Sequence, residues 1–178
     1  MKILVLGIGN ILFGDEGIGV HLSNLLKLNY TFKGKHNVDI VDGGTMAQHL
    51  IPLITQYDFV LILDSIDAKD AKIGDVYFFD FGAIPHQITW AGSAHEVEML
   101  QTLRMIEMLG DLPSTKILGI KPFIIGENPT FELTEEIKQG AKLMESQAIA
   151  YLKSLEVQVE RIANLDLQEI ANFSYKGY

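Results

Sequence analysis

The chain contains no cysteine in its 178 residues. That removes a disulfide framework, a thiolate nucleophile and every zinc or iron–sulfur site built on cysteine. Any metal is left to oxygen and imidazole ligands. Basic residues are also few: 14 Lys and Arg stand against 23 Asp and Glu, a formal net charge of -9. A nucleic-acid binder needs a basic stripe to neutralise phosphates, so no nucleic-acid partner is expected, although a basic peptide still fits. Long apolar runs are missing as well. The first one, Ile3 to Leu6, is broken by Gly7 and Gly9 and soon followed by acids. It reads as neither a signal peptide nor a membrane span, and a cytoplasmic protein with no membrane partner is expected. There is no internal repeat and no low-complexity segment.

What is present is a chain 48% hydrophobic and long enough for one domain with a substantial core. Its opening organises the rest. Ile3 to Leu6 reads as a buried strand that feeds the glycine-rich turn Gly7-Ile8-Gly9-Asn10-Ile11-Leu12-Phe13-Gly14-Asp15-Glu16-Gly17, after which a helical pattern begins. A strand entering a helix through such a turn marks a ligand crevice in an open α/β sheet. Gly7 and Gly9 start a dinucleotide fingerprint, but its third glycine falls on Leu12. No Gly-Lys-Ser/Thr ending makes a phosphate loop. Asp15 and Glu16 occupy the place where a phosphate would sit, and they would repel it. The turn therefore suits a cation or a cationic segment, unless Asp15 only caps the helix and Glu16 decorates its first turn.

Along the chain, apolar runs predict strands at Lys2–Leu6, Val38–Val41, Phe59–Leu63, Asp75–Phe79 and Lys116–Ile120. Helical patterns fall near residues 15–28, 46–55, 94–110 and 134–155, the last with Thr134 as N-cap. Alternating strands and helices predict an α/β fold, a mostly parallel sheet covered on both faces. The connection into the Asp75 strand is too short for a helical crossover, so that strand is expected to be antiparallel at an edge. Residues 1–156 read as one domain. Residues 157–178 show no clean period and are expected to pack loosely as a tail dispensable for the site.

In such sheets the crevice lies outside the carboxyl ends of the strands. The residues there are Asn10, Asp15 and Glu16 after the first strand, Asp42 with Gly43 and Gly44 after the second, Asp64 and Asp67 after the third, and Ser93 and His95 ahead of the long helix. A Glu, an Asp and a His together make an O,O,N site for a divalent transition metal, nickel or zinc among them. Each also has a plainer role. Asp64 caps loops well, Asp42 before two glycines reads as turn chemistry, and His95 alone is a helix-start residue. His21, His36, His49 and His86 lack a strand-end setting and read as surface or packing residues. Several catalytic patterns are absent. His95-Glu96 would need a second His where Met99 stands, no G-x-S-x-G elbow occurs, and Asp15 and Glu16 are adjacent and cannot oppose one another across a glycosidic bond.

The stretches Ile3 to Asn10 and Gly14 to Val20, with Asp42-Gly43-Gly44-Thr45, Ile62-Leu63-Asp64-Ser65 and Ser93-Ala94-His95, resemble the hydrogenase maturation endopeptidases. These are nickel-dependent processing proteases of nickel–iron hydrogenase large subunits. The resemblance covers residues 1–155, and Ser65 stands where the family commonly has Ala. It implies a three-layer α/β/α sandwich with a mostly parallel five-stranded sheet. It also implies that Glu16, Asp64 and His95 recognise nickel carried by the substrate, other divalent ions substituting in the isolated protein. Glu16 or Asp64 would act in the catalysis. The implied partner is the nickel-loaded precursor of a hydrogenase large subunit, which loses a short C-terminal extension. Two other classes stay open on the residues alone: a nucleotide- or flavin-binding α/β module, and a conventional zinc peptidase or amidase.

Overall fold

The computed structural model describes residues 1–89, 94–123 and 128–178. Within them the strands are β1 (Lys2–Ile8), β2 (Tyr30–Lys33), β3 (Asn37–Gly44), β4 (Phe59–Ser65), β5 (Val76–Asp80), β6 (Ser114–Ile120) and β7 (Gln158–Arg161). The helices are α1 (Ile18–Asn29), α2 (Ile51–Ile54), α3 (Ala94–Leu109), α4 (Glu135–Ser154) and α5 (Leu167–Phe173). Five strands form one sheet in the order β3-β1-β4-β6-β5. All neighbours are parallel except β5, which lies antiparallel to β6 at an edge. The expected antiparallel edge strand is thus present.

Successive side chains of a strand point to opposite faces, and the core divides accordingly. Ile3, Val5, Leu61, Leu63, Leu118 and Ile120 point to the side covered by α1, α4 and α5. Leu4, Leu6, Val60, Ile62 and Ile117 point to the side covered by α2 and α3. The result is the α/β/α sandwich. Because β1, β3, β4 and β6 run the same way, their carboxyl ends share one edge of the sheet, with Asp64 in register with Gly119.

Helical segments differ from the sequence reading in two places. The stretch 46–55 is a 3-10 turn, Ala47–Leu50, followed by the single turn α2. Pro52 is the reason: it lacks an N–H and is tolerated only in the first turn of a helix, so α2 can begin no earlier than about Ile51. The start of the first helix is likewise a 3-10 turn, Gly14–Gly17, before α1 proper. Thr134 does cap α4, its hydroxyl accepting from the Ile137 amide at 3.4 Å.

Residues 157–178 are a correction. Far from a loose tail, they hold β7, which pairs antiparallel with β2, and α5, which buries Leu167, Ile170 and Ala171 in the core beside α1. The stretch after α1, where the sequence predicts no element, supplies β2. Asn29 stitches the two ends together: its side chain donates to the Leu165 carbonyl at 3.0 Å and accepts from the Leu165 amide at 2.8 Å. Among the described residues no helix is long and apolar enough to cross a membrane. Ser93, a candidate in the sequence, lies outside the described residues, as do Trp90 and residues 124–127.

Candidate active site

The glycines of the opening motif serve close packing. At Gly19 a Cβ would strike the carbonyl oxygens of Ile8 and Leu63, so α1 lies directly on the ends of β1 and β4. Gly9 has φ +149, in the region that favours glycine, and a Cβ there would meet the Glu16 carbonyl. The loop folds back on itself through that approach, with the Asn10 amide donating to the Glu16 carbonyl at 3.2 Å.

Asp15 and Glu16 then part company. Asp15 is fully buried and spends its carboxylate on structure. One oxygen accepts from the Thr134 amide at 2.9 Å, and the other accepts from the Thr134 hydroxyl at 2.8 Å and the Phe123 amide at 3.1 Å. It does not cap its own helix. It ties the 3-10 turn to the start of α4 and to the chain leaving β6, which fixes the backbone on which Glu16 sits. Glu16 points the other way, into the crevice.

Three sequence-predicted residues meet there. Asp64, at the end of β4, is 1% exposed, and His95, the second residue of α3, is 5% exposed. His95 Nδ1 lies 3.4 Å from Asp64 Oδ1, and His95 Nε2 lies 3.8 Å from Glu16 Oε2. The imidazole is thus held between two carboxylates brought from three separate stretches. The Asp64 oxygens and the His95 nitrogens make no well-formed hydrogen bond beyond the long 3.4 Å contact between them. Buried polar groups are normally satisfied, so these four atoms constitute unspent ligand capacity. Burial raises the Asp64 and Glu16 carboxyls above their ordinary range, with His95 opposing the rise in both. Burial pulls the other way on His95, but Asp64, Glu96 and Glu16 together outweigh it and leave the imidazole above its usual value.

The other candidates are placed elsewhere. Asp42 is exposed and accepts from the Gly44 amide at 2.9 Å, the turn role read from its glycines. The Asn10 side chain accepts from the Leu12 amide at 3.1 Å, closing its own loop. Asp67 pairs with Lys121 and accepts from the Thr89 hydroxyl at 2.7 Å; these two partners hold its carboxyl below the usual range. His49 and His86 are exposed, and His21 is buried in α1 with no hydrogen-bond partner on either nitrogen. Glu96, almost fully buried at 1% exposure, was not singled out as a site residue; its place in the first turn of a helix beside a candidate ligand was the available signal.

Among the described residues no group of three or more His, Asp or Glu side chains is arranged as a ready metal cage. The geometry explains this: the two ring nitrogens of His95 face opposite carboxylates, and one ion bonds only one nitrogen of an imidazole. The set is assembled but not closed around a point.

A sequence model of the hydrogenase maturation protease family matches residues 20–151, a span that includes Asp64 and His95. The chain belongs to that family. It is 55% identical over 159 residues to Protein HydD of Wolinella succinogenes, covering 89% of this chain and 100% of that one. It is 32% identical over 137 residues to the Hydrogenase 2 maturation protease of Escherichia coli, covering 74% of this chain and 82% of the relative. Among solved structures, the hydrogenase maturating endopeptidase HybD from E. coli superposes with a TM-score of 0.75 at 25% identity, over 90% of this chain and 98% of that one. The resemblance to the hydrogenase maturation proteases therefore holds, and the enzyme is a peptidase.

Proposed function

We propose that this maturation protease removes a short C-terminal extension from the nickel-loaded precursor of a hydrogenase large subunit, in the cytoplasm. Glu16, Asp64 and His95 recognise the metal that the substrate brings. The observation that carries this is the loosely engaged O,O,N donor set: one buried imidazole between two carboxylates, joined only by the long contacts of 3.4 and 3.8 Å. Imidazole with carboxylate suits a divalent transition ion, and with no cysteine in the chain the site lacks thiolate grip. Weak, incomplete ligation fits a metal that must depart with the product. The relatives are themselves hydrogenase maturation proteases by name, which supports the substrate class.

Substrate-borne nickel polarises a nearby peptide carbonyl or makes a bound water nucleophilic. The chain's own residues do the rest. Asp64, 1% exposed at the end of a central strand, is the fixed member of the set. His95 turns one ring nitrogen to the ion. Glu16, whose side chain keeps 14% of its surface open, is the carboxylate that reaches water and so the better placed to accept its proton. The opposed nitrogens of His95 mean that closing the set takes a side-chain rotation when the metal arrives, so the protein alone should purify largely metal-free.

The test is incubation of the pure protein with nickel-loaded and nickel-free precursor, read by mass spectrometry. Loss of the extension only from the loaded precursor is expected. Full processing of nickel-free precursor would refute the reading. One tightly bound zinc, with cleavage of unrelated peptides, would establish the zinc-peptidase alternative instead.

A further inference from the structure

His95 sits on a helix and Asp64 on a strand, and something must set the gap between them. Three residues past Asp64, the Asp67 amide donates to Glu96 Oε2 at 3.0 Å. Glu96 is the neighbour of His95 and is 1% exposed. Asp67 also binds the segment that leads toward α3: its carboxylate accepts from the Thr89 hydroxyl at 2.7 Å, and its carbonyl accepts from the Thr89 amide at 3.0 Å. The second Asp67 oxygen pairs with Lys121, the first residue beyond β6. Lys121 is itself pinned by its backbone, which donates to the Asp75 carbonyl at 2.9 Å and accepts from the Gly74 amide at 2.9 Å. The Ile66 amide completes the brace, donating to the Ile120 carbonyl at 2.9 Å. His95 is therefore bracketed in sequence by Thr89 and Glu96, both tied to the one loop that leaves Asp64. Burying a carboxylate is costly unless it is engaged, and this one is engaged on the backbone of the strand-end loop.

We propose that Glu96 and Asp67 are positioning residues for the metal-recognition site, a strut that ties the start of α3 to the end of β4 and holds His95 at its working distance from Asp64. The proposal rests on the reading that His95 and Asp64 receive the substrate's metal. Neither strut residue touches that metal. Their effect travels through the register of the helix against the sheet.

Four variants decide it, each assayed for kcat and KM on nickel-loaded precursor and titrated with nickel(II) alone by calorimetry. Glu96→Ala removes the acceptor of the Asp67 amide, and a 10–100-fold loss in kcat/KM and in nickel affinity is expected, the range found for groups that orient metal ligands. Glu96→Gln keeps an acceptor oxygen and should recover most of both. Lys121→Met frees Asp67 without emptying a buried position and should weaken both in the same direction, by less. His95→Ala is the control. If it abolishes processing while Glu96→Ala and Lys121→Met leave kcat/KM and nickel affinity unchanged, the strut is overturned and the metal site stands. If His95→Ala itself processes normally, the metal reading falls and the strut with it. Should Glu96→Ala fail to fold, Lys121→Met carries the decision: a loss supports the strut and unchanged values overturn it. Failure of Glu96→Gln to recover activity in a folded protein also overturns it, because the hydrogen bond would then not be what matters.

Discussion

Two histidines are buried among the described residues, His21 within α1 and His95 at the head of α3, and their surroundings are opposite. His21 lies against the backbone at Gly17, with neither nitrogen hydrogen-bonded and no acid credited with holding its charge. Burial alone acts on it and pulls its pKa down to about 4, so it is a neutral packing residue at physiological pH. His95 is about as hidden, yet Asp64, Glu96 and Glu16 overcome the same burial and raise it. The difference teaches that burial does not make a site; the converging carboxylates do. The adjacent acids Asp15 and Glu16 repeat the contrast, one with its carboxylate filled by Thr134 and Phe123, the other left facing the crevice.

The sharpest way to break this contrast is to exchange the histidines' fates. His95→Ala should lower precursor processing by roughly a thousandfold, the several kcal/mol that a metal contributes to the transition state. His21→Leu should change it less than about threefold, since it alters packing alone. Comparable losses in single-turnover cleavage would erase the distinction. The acids come next. Asp15→Ala strands three part-buried donors and should cost about 2 kcal/mol of stability in urea unfolding, with processing falling as Glu16 loses its footing. Glu16→Gln should leave stability within about 0.5 kcal/mol while strongly reducing processing.

Acid sensitivity sharpens the comparison further. His21 has a folded pKa of about 4 against an ordinary value of 6.5, so between those values the unfolded chain binds the extra proton. Its contribution is therefore neutral above pH 6.5 and becomes destabilising as pH falls toward 4, reaching about 3 kcal/mol. Asp64 and Glu16, held above their ordinary range, work with the opposite sign. Subtracting the stability curve of His21→Leu from that of the parent isolates the histidine, and a flat difference across this window would show that His21 is already solvated. The smallest effect belongs to the exposed His49 and His86, whose alanine variants should process the precursor within about twofold of the parent.

Much of the fold was legible because its strands are continuous apolar runs, as fully covered parallel strands must be. The short link into β5 disclosed its antiparallel direction, and Thr134 disclosed the start of α4. What escaped is held by partners distant in sequence. β2 and β7 are four residues each, half-buried at best, and become strands only by pairing Tyr30 with Arg161. α5 is seven residues long, too short for a period to emerge, although Asp166 followed three later by Glu169 is a helix-start pattern, and Asp166 does accept from the Gln168 and Glu169 amides. At the site, the rule that crevices lie at strand carboxyl ends placed Glu16, Asp64 and His95 among several candidates, and the family resemblance singled out these three. The tasks of Asp15 and Glu96 did not, because each hydrogen-bonds a backbone that only the fold brings near.

The central claim is that Glu16, Asp64 and His95 receive one divalent ion. Anomalous diffraction at the nickel edge from crystals soaked in nickel(II) tests it most directly. A single strong peak bounded by a Glu16 oxygen, an Asp64 oxygen and one His95 nitrogen is expected, lost in crystals of His95→Ala. A peak at His21, His36, His49 or His86 instead, or one that survives His95→Ala unchanged, would contradict it.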